Sequence, residues 1–207
     1  MKKAEKPLAG TRIIPYLPNT DPDATILGAD QWKWLEEQLK KPAEIRLLVS
    51  SIQVVSEDHP FEKWMNTPNE RERLYKLIRE TKANGVVILS GDRHLAEISM
   101  QSDAVGYPLY DITSSGLNQG YQGWRAPEKN KHRVASMAHG NNFGFITINW
   151  AGTSPRLSLQ VRDEDGEISM KEVVPLSQLQ IGATAVAAEL PVKPREGSIS
   201  PREALKK

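Results

Sequence analysis

The sequence predicts an α/β fold with a mixed sheet that closes in an antiparallel meander. Three observations carry this prediction. Two apolar runs, RLLVSSIQVV over 46–55 and VVILS over 86–90, flank an amphipathic helical pattern over 68–83. Runs of that kind, separated by a helix, read as parallel strands buried on both faces. In the last third the texture changes to alternation, in FGFITINW over 143–150 and in 156–161, with a further strand over 167–174. Alternation with a period of two marks strands covered on one face only.

Taken in order, residues 1–25 hold prolines at Pro7, Pro15, Pro18 and Pro22. That spacing breaks regular structure and predicts an extended arm lying across the domain. A first helix is expected over Asp30–Lys40, with Asp30 as N-cap and Trp32, Leu35 and Leu39 on one face. Trp32 and Trp34 both read as packing residues. After the 46–55 strand comes a polar loop with Glu57, Asp58, His59 and Glu62. Thr67-Pro68-Asn69-Glu70 has the form of a capping box with proline at the first helical position. Asn84-Gly85 supplies the left-handed stop of that helix. Strand, helix and strand then make one βαβ unit with a crossover of roughly 30 residues, which implies parallel pairing.

The 86–90 strand ends in Ser90-Gly91 and delivers Asp92-Arg93-His94. Ligands of open α/β sheets gather beyond the carboxyl ends of such strands. An extended segment here would put Asp92 and His94 on one side, where they could meet a metal or an anion. Equally, Asp92 could cap a turn and His94 could be a hydrogen-bonded surface histidine. Strands are expected over 95–100 and 107–113, then a polar, glycine-rich loop over 116–142. Glu164-Asp165-Gly166 turns the meander. From residue 181 the composition suggests a disordered tail. The expected organisation is an arm (1–25), one domain (26–180) and a tail (181–207).

Composition narrows the chemistry. The 27 Lys and Arg against 26 Asp and Glu give a net charge of +1, and so no electrostatic argument for nucleic acid or an anionic membrane. With no cysteine, a metal site would have to use histidine, carboxylate and amide oxygen. No apolar run reaches the roughly 18 residues of a spanning helix, and MKKAEKPLAG lacks the apolar core of a signal peptide. The expectation is a cytoplasmic protein, or a periplasmic or extracellular one if the chain is part of a longer precursor.

The blocks ILGADQWKWLEEQL, LLVSSIQVV, FEKWMNTPNERERL, VVILSGDRHLAEIS and YDITSSGLN together resemble the PhoD-like alkaline phosphatases and phosphodiesterases. These belong to the calcineurin-like metallophosphoesterases. The resemblance implies an α/β/β/α sandwich and hydrolysis of phosphate esters at two divalent ions, drawn from Ca, Fe, Zn, Mn or Mg. It implies Asp92 and His94 as catalytic metal ligands, with His59 a further ligand in a loop shared with Gln53. Arg93 and Asn118 are the corresponding substrate-binding candidates. The family's other metal ligands lie in aspartate and asparagine motifs of the amino-terminal half, which nothing here resembles. The resemblance is therefore to a carboxyl-terminal half. It implies a truncated phosphoesterase, a non-catalytic remnant, or a subunit completed by a missing-half partner chain. Exposed apolar surface is expected beside the 46–55 strand, with an oligomer or a partner as its consequence.

Overall fold

The computed structural model describes residues 1–123, 128–137 and 139–182. Its strands are β1 (Lys2–Lys3), β2 (Tyr16–Leu17), β3 (Arg46–Val49), β4 (Val86–Ser90), β5 (Ala96–Gln101), β6 (Leu109–Ser114), β7 (Arg133–Met137), β8 (Asn142–Asn149), β9 (Arg156–Asp163) and β10 (Ile168–Pro175). The helices are α1 (Ala29–Leu39) and α2 (Pro68–Glu80). The tail beyond residue 182 lies outside the described residues.

A five-stranded sheet has the order β3-β4-β6-β5-β7. Strands β3, β4 and β6 are parallel, while β5 runs antiparallel between β6 and β7. The expected meander is the second sheet, in the order β10-β9-β8. It packs on the first through β8 against β5 and β6, and through β10 against β7. Register puts Tyr110, Ile112, Ile98 and Met100 on one face of the large sheet. That face meets the meander, because the charge of Glu172 on β10 reaches the Tyr110 phenol. Opposite it, Leu157, Leu159, Val161, Met170 and Val174 are buried. The other face carries Asp111, which reaches the backbone of the 50–55 segment, and this segment in turn accepts hydrogen bonds from Arg71 of α2. Among the described residues the layers are α/β/β.

Some local expectations change. The strand predicted over 46–55 stops at Val49. Beyond it, the N–H groups of Val54 and Val55 turn to the Asp111 carboxylate (2.8 and 3.0 Å) instead of a ladder. Helix α2 starts where expected, but Thr67 makes no side-chain cap. Glu70 is occupied elsewhere, since its Oε2 accepts from Thr25 Oγ1, Ile26 N and Trp32 Nε1 at 2.8–2.9 Å. That carboxylate ties the arm and α1 to α2. Gly28, not Asp30, is the N-cap of α1. Trp32 is 2% exposed but Trp34 is 55% exposed, so only the first packs. Strand β7 emerges inside the supposed loop 116–142, where its short RVASM segment pairs with β5. Among the described residues strand β3 is an edge of the sheet, with Leu47 and Val49 47% and 78% exposed.

Candidate functional site

Strand β4 ends at Ser90, and the chain turns sharply through Gly91 to Leu95. The turn is not extended, because Asp92 and His94 both adopt positive φ, 65° and 53°. For residues other than glycine this costs on the order of 1 kcal/mol each and has to be held in place. The intervening Arg93 holds it. Its side chain is 6% exposed, ion-paired to Glu128 at 2.8 Å and stacked over the Phe61 ring at 4.5 Å. Its backbone N–H donates to Ser115 Oγ at 2.8 Å. Asp92 and His94 are therefore left exposed on either side of a buried arginine. Arg93, expected as a phosphate contact, is committed to Glu128 and Phe61.

Asp92 opens onto a cleft of about 760 Å³ shared with Met1, Asn19, Thr25, Ser51 and Glu62. The proline-rich arm forms one wall of it. Tyr16 fastens the arm through its N–H to Pro60 O (2.8 Å) and its hydroxyl to Glu62 Oε1 (2.6 Å), and Asn19 N–H donates to Asn66 O at 2.7 Å. His94 lies against Tyr121, with ring centroids 6.2 Å apart. Asn118 is exposed in the turn after β6.

His59 is buried. Its Nδ1 accepts a hydrogen bond from the Phe61 N–H at 3.2 Å, so the neutral ring carries its proton on Nε2. Nε2 is buried and has no hydrogen-bond partner. As placed, the ring presents no lone pair to a metal at Nε2. Burial, with Arg93, Lys63 and Arg133 nearby, lowers its pKa to about 2. Lys63 is also depressed by burial, to about 8, and its ammonium donates to the carbonyl oxygens of His59 and Phe61.

Beneath this surface runs a buried polar chain that sequence reasoning missed. Glu97 on β5 accepts from Gln53 Nε2 (3.1 Å) and Asn130 Nδ2 (2.6 Å), and pairs with Arg133 at 2.6 Å. Gln53 Nε2 also donates to Thr113 Oγ1 (2.7 Å), which lies 2.9 Å from Ser90 Oγ. Ser90 Oγ donates to Asp111 Oδ1 at 2.6 Å. Burial pushes the Asp111 carboxyl up, against the hydrogen bonds from Ser90, Val55 and Val54. The chain fixes the loop after β3 to the carboxyl ends of β4 and β6. The available signal was an acidic residue inside each apolar strand, in AEIS and YDIT.

These groups set a pH dependence. An unfolded histidine titrates near 6.5, while folded His59 resists protonation until about 2. The folded state thus binds fewer protons between those limits, and stability is lost as pH falls below 6.5, by up to about 1.4 kcal/mol per unit. Glu57 acts lower. Burial raises its pKa, but Lys131, His132 and Arg71 outweigh this and bring it to about 2, so its contribution is lost only from about 4.5 downward. Urea unfolding at stepped pH should show stability falling between pH 6.5 and 4.5, and His59→Gln should flatten that fall. A wild-type stability unchanged across the interval would rule out a buried neutral His59.

A family model described as PhoD-like phosphatase matches residues 12–153. The chain belongs to the PhoD-like phosphatase family. The fold is similar to a solved structure titled "Structure of PhoD", with a TM-score of 0.56 and 18% identity, over 83% of this chain and 39% of that one. The chain thus spans well under half the length of that relative. No curated protein matches it. The mixed sheet and antiparallel meander are those of a PhoD-like fold fragment. No helix among the described residues is long and apolar enough to cross a membrane.

PhoD-like phosphatases are in general metal-dependent. Among the described residues no three His, Asp or Glu side chains converge as a metal-holding group, and His59 has its Nδ1 engaged by the Phe61 N–H and its Nε2 buried without a partner. Asp92 and His94 remain as exposed donors. By themselves the described residues do not make up a metal centre.

Proposed function

We propose that this chain forms one wall of a phosphoric ester hydrolase site of the alkaline phosphatase or phosphodiesterase type, with Asp92 and His94 as the metal donors it contributes. The reading is carried by the turn after β4. Buried Arg93 keeps two metal-capable side chains exposed there, one of them at a cleft wide enough for a phosphate ester. Family membership supports the substrate class, a phosphate monoester or diester. The remaining donors would come from polypeptide beyond the described residues, in keeping with the share of its relative that the chain spans. Asn118, exposed after β6, is the substrate-loop candidate.

The test is calorimetric titration of Mn²⁺ or Zn²⁺ into the wild type, Asp92→Asn and His94→Ala, alongside hydrolysis of a nitrophenyl phosphate monoester and diester. The expected result is metal binding weakened on the order of tenfold or more in each variant. Equal affinity in all three proteins would overturn the assignment. It would favour a non-catalytic remnant, the reading to which the burial of His59, with its Nδ1 taken up by the Phe61 N–H, lends weight.

A further inference from the structure

We propose that Glu128 is a positioning residue, which sets the turn carrying Asp92 and His94 by holding the Arg93 guanidinium between them. Its bearing on metal donors rests on the phosphoesterase reading; its bearing on the turn does not. Of the three turn residues the middle one is buried. Arg93 is 6% exposed, between exposed Asp92 and His94, which both stand at positive φ. A backbone so strained persists only while its surroundings hold it. A guanidinium, in turn, stays buried only while its charge is compensated. The Glu128 carboxylate lies 2.8 Å from it. Without that carboxylate Arg93 gains by swinging toward water, and the backbone on both sides of it turns as it goes.

Glu128 is itself placed by directed bonds. Its segment, EKNKHR over 128–133, contains no apolar residue, so hydrophobic packing does not fix it. Two acids of the loop after β3 hold one side. Lys131 N–H donates to Asp58 Oδ2 at 2.9 Å, and His132 Nε2 lies 3.1 Å from Glu57 Oε1. Strand β5 holds the other side, where Asn130 Nδ2 donates to Glu97 Oε1 (2.6 Å) and Ser99 Oγ (2.9 Å). Arg133 reaches both ways, with Nε on Glu97 Oε2 at 2.6 Å and Nη2 on the Glu128 carbonyl oxygen. A line of contacts therefore runs from Glu97 on β5 through Arg133 and Glu128 to Arg93. Satisfied polar networks of this kind make a structure rigid. Partners standing one contact behind a metal donor commonly change metal affinity tenfold or more when removed.

The test is Glu128→Gln, which keeps the shape of the side chain and removes its charge. Amide hydrogen exchange followed by NMR should show the Arg93 N–H exchanging on the order of tenfold faster, with the melting temperature unchanged. Calorimetric titration should show Mn²⁺ bound on the order of tenfold more weakly. Arg93→Gln should have the same two effects, and the double variant no more than either single one, because each removes the same contact. Lys129→Gln is the control for general loosening of the segment, its side chain being 83% exposed, and should behave as wild type. An unchanged Arg93 exchange rate in Glu128→Gln would overturn the proposal. So would additive losses in the double variant, an equal loss in Lys129→Gln, or Mn²⁺ affinity lowered by Asp92→Asn but indifferent to Glu128→Gln. If Mn²⁺ binding is absent or indifferent to Asp92→Asn, the phosphoesterase reading fails alone, and the exchange rates decide whether Glu128 sets the turn.

Discussion

Asp111→Ala lowers the unfolding free energy by about 3–5 kcal/mol. The carboxylate is fully buried in the middle of β6, and three donors converge on it: the N–H groups of Val54 and Val55 and the Ser90 hydroxyl. Alanine leaves two backbone N–H groups buried without acceptors, and each such group costs about 1–3 kcal/mol. It also opens a cavity where the carboxylate stood. Asp111→Asn should lose less than half as much, because its amide oxygen can still accept the two N–H groups while its NH₂ donates to Ser90. Urea denaturation of the two variants, compared at constant m-value, makes the check. Equal losses would mean that charge, not hydrogen-bond capacity, holds the segment. The consequence reaches the cleft, since the 50–55 segment that Asp111 anchors includes Ser51 at its wall.

Gly85→Ala is expected to cost at least about 3 kcal/mol. Gly85 stands at φ 67°, and a Cβ there would lie 2.0 Å from the backbone oxygen of Glu44. Backbone cannot move aside as a side chain can. Gly85 is also bonded on both sides, its N–H to Leu179 O at 2.7 Å and its carbonyl from Arg46 N–H. Relief would have to shift the start of β3. Gly166→Ala is the matched control, with φ 82° and nothing within 4 Å of the added carbon, so it should cost only about 1 kcal/mol. Thermal unfolding of the pair separates the steric part from the conformational part. Similar losses at both positions would show that the close approach to Glu44 relaxes freely.

The parts of the fold that the sequence made legible rest on short-range causes. VVILS became a five-residue strand at the predicted residues because an uninterrupted apolar run suits a sheet buried on both faces. Helix α2 began at Pro68 because proline fixes φ and lacks the N–H that a first helical turn leaves unpaired. The meander was visible because burial on one face imposes alternation. The family could be read too.

What the sequence could not determine was where buried polar groups find their partners. Glu70 looked like a capping residue and became a clasp for the arm. Asp111, in the middle of an apolar strand, ended the preceding strand by drawing off its N–H groups. Arg93 looked like an anion contact and became the buried support of a strained turn, which in turn decides that Asp92 and His94 are exposed. Each choice depends on which donor or acceptor comes within about 3 Å after packing. A buried polar group left unpaired costs more than any local preference supplies, so tertiary partners decided these cases. By itself the sequence determined the family, the two helices and most of the strands in their order, but not β7. The tertiary structure alone decided which side chains face the cleft and which are consumed in holding it open.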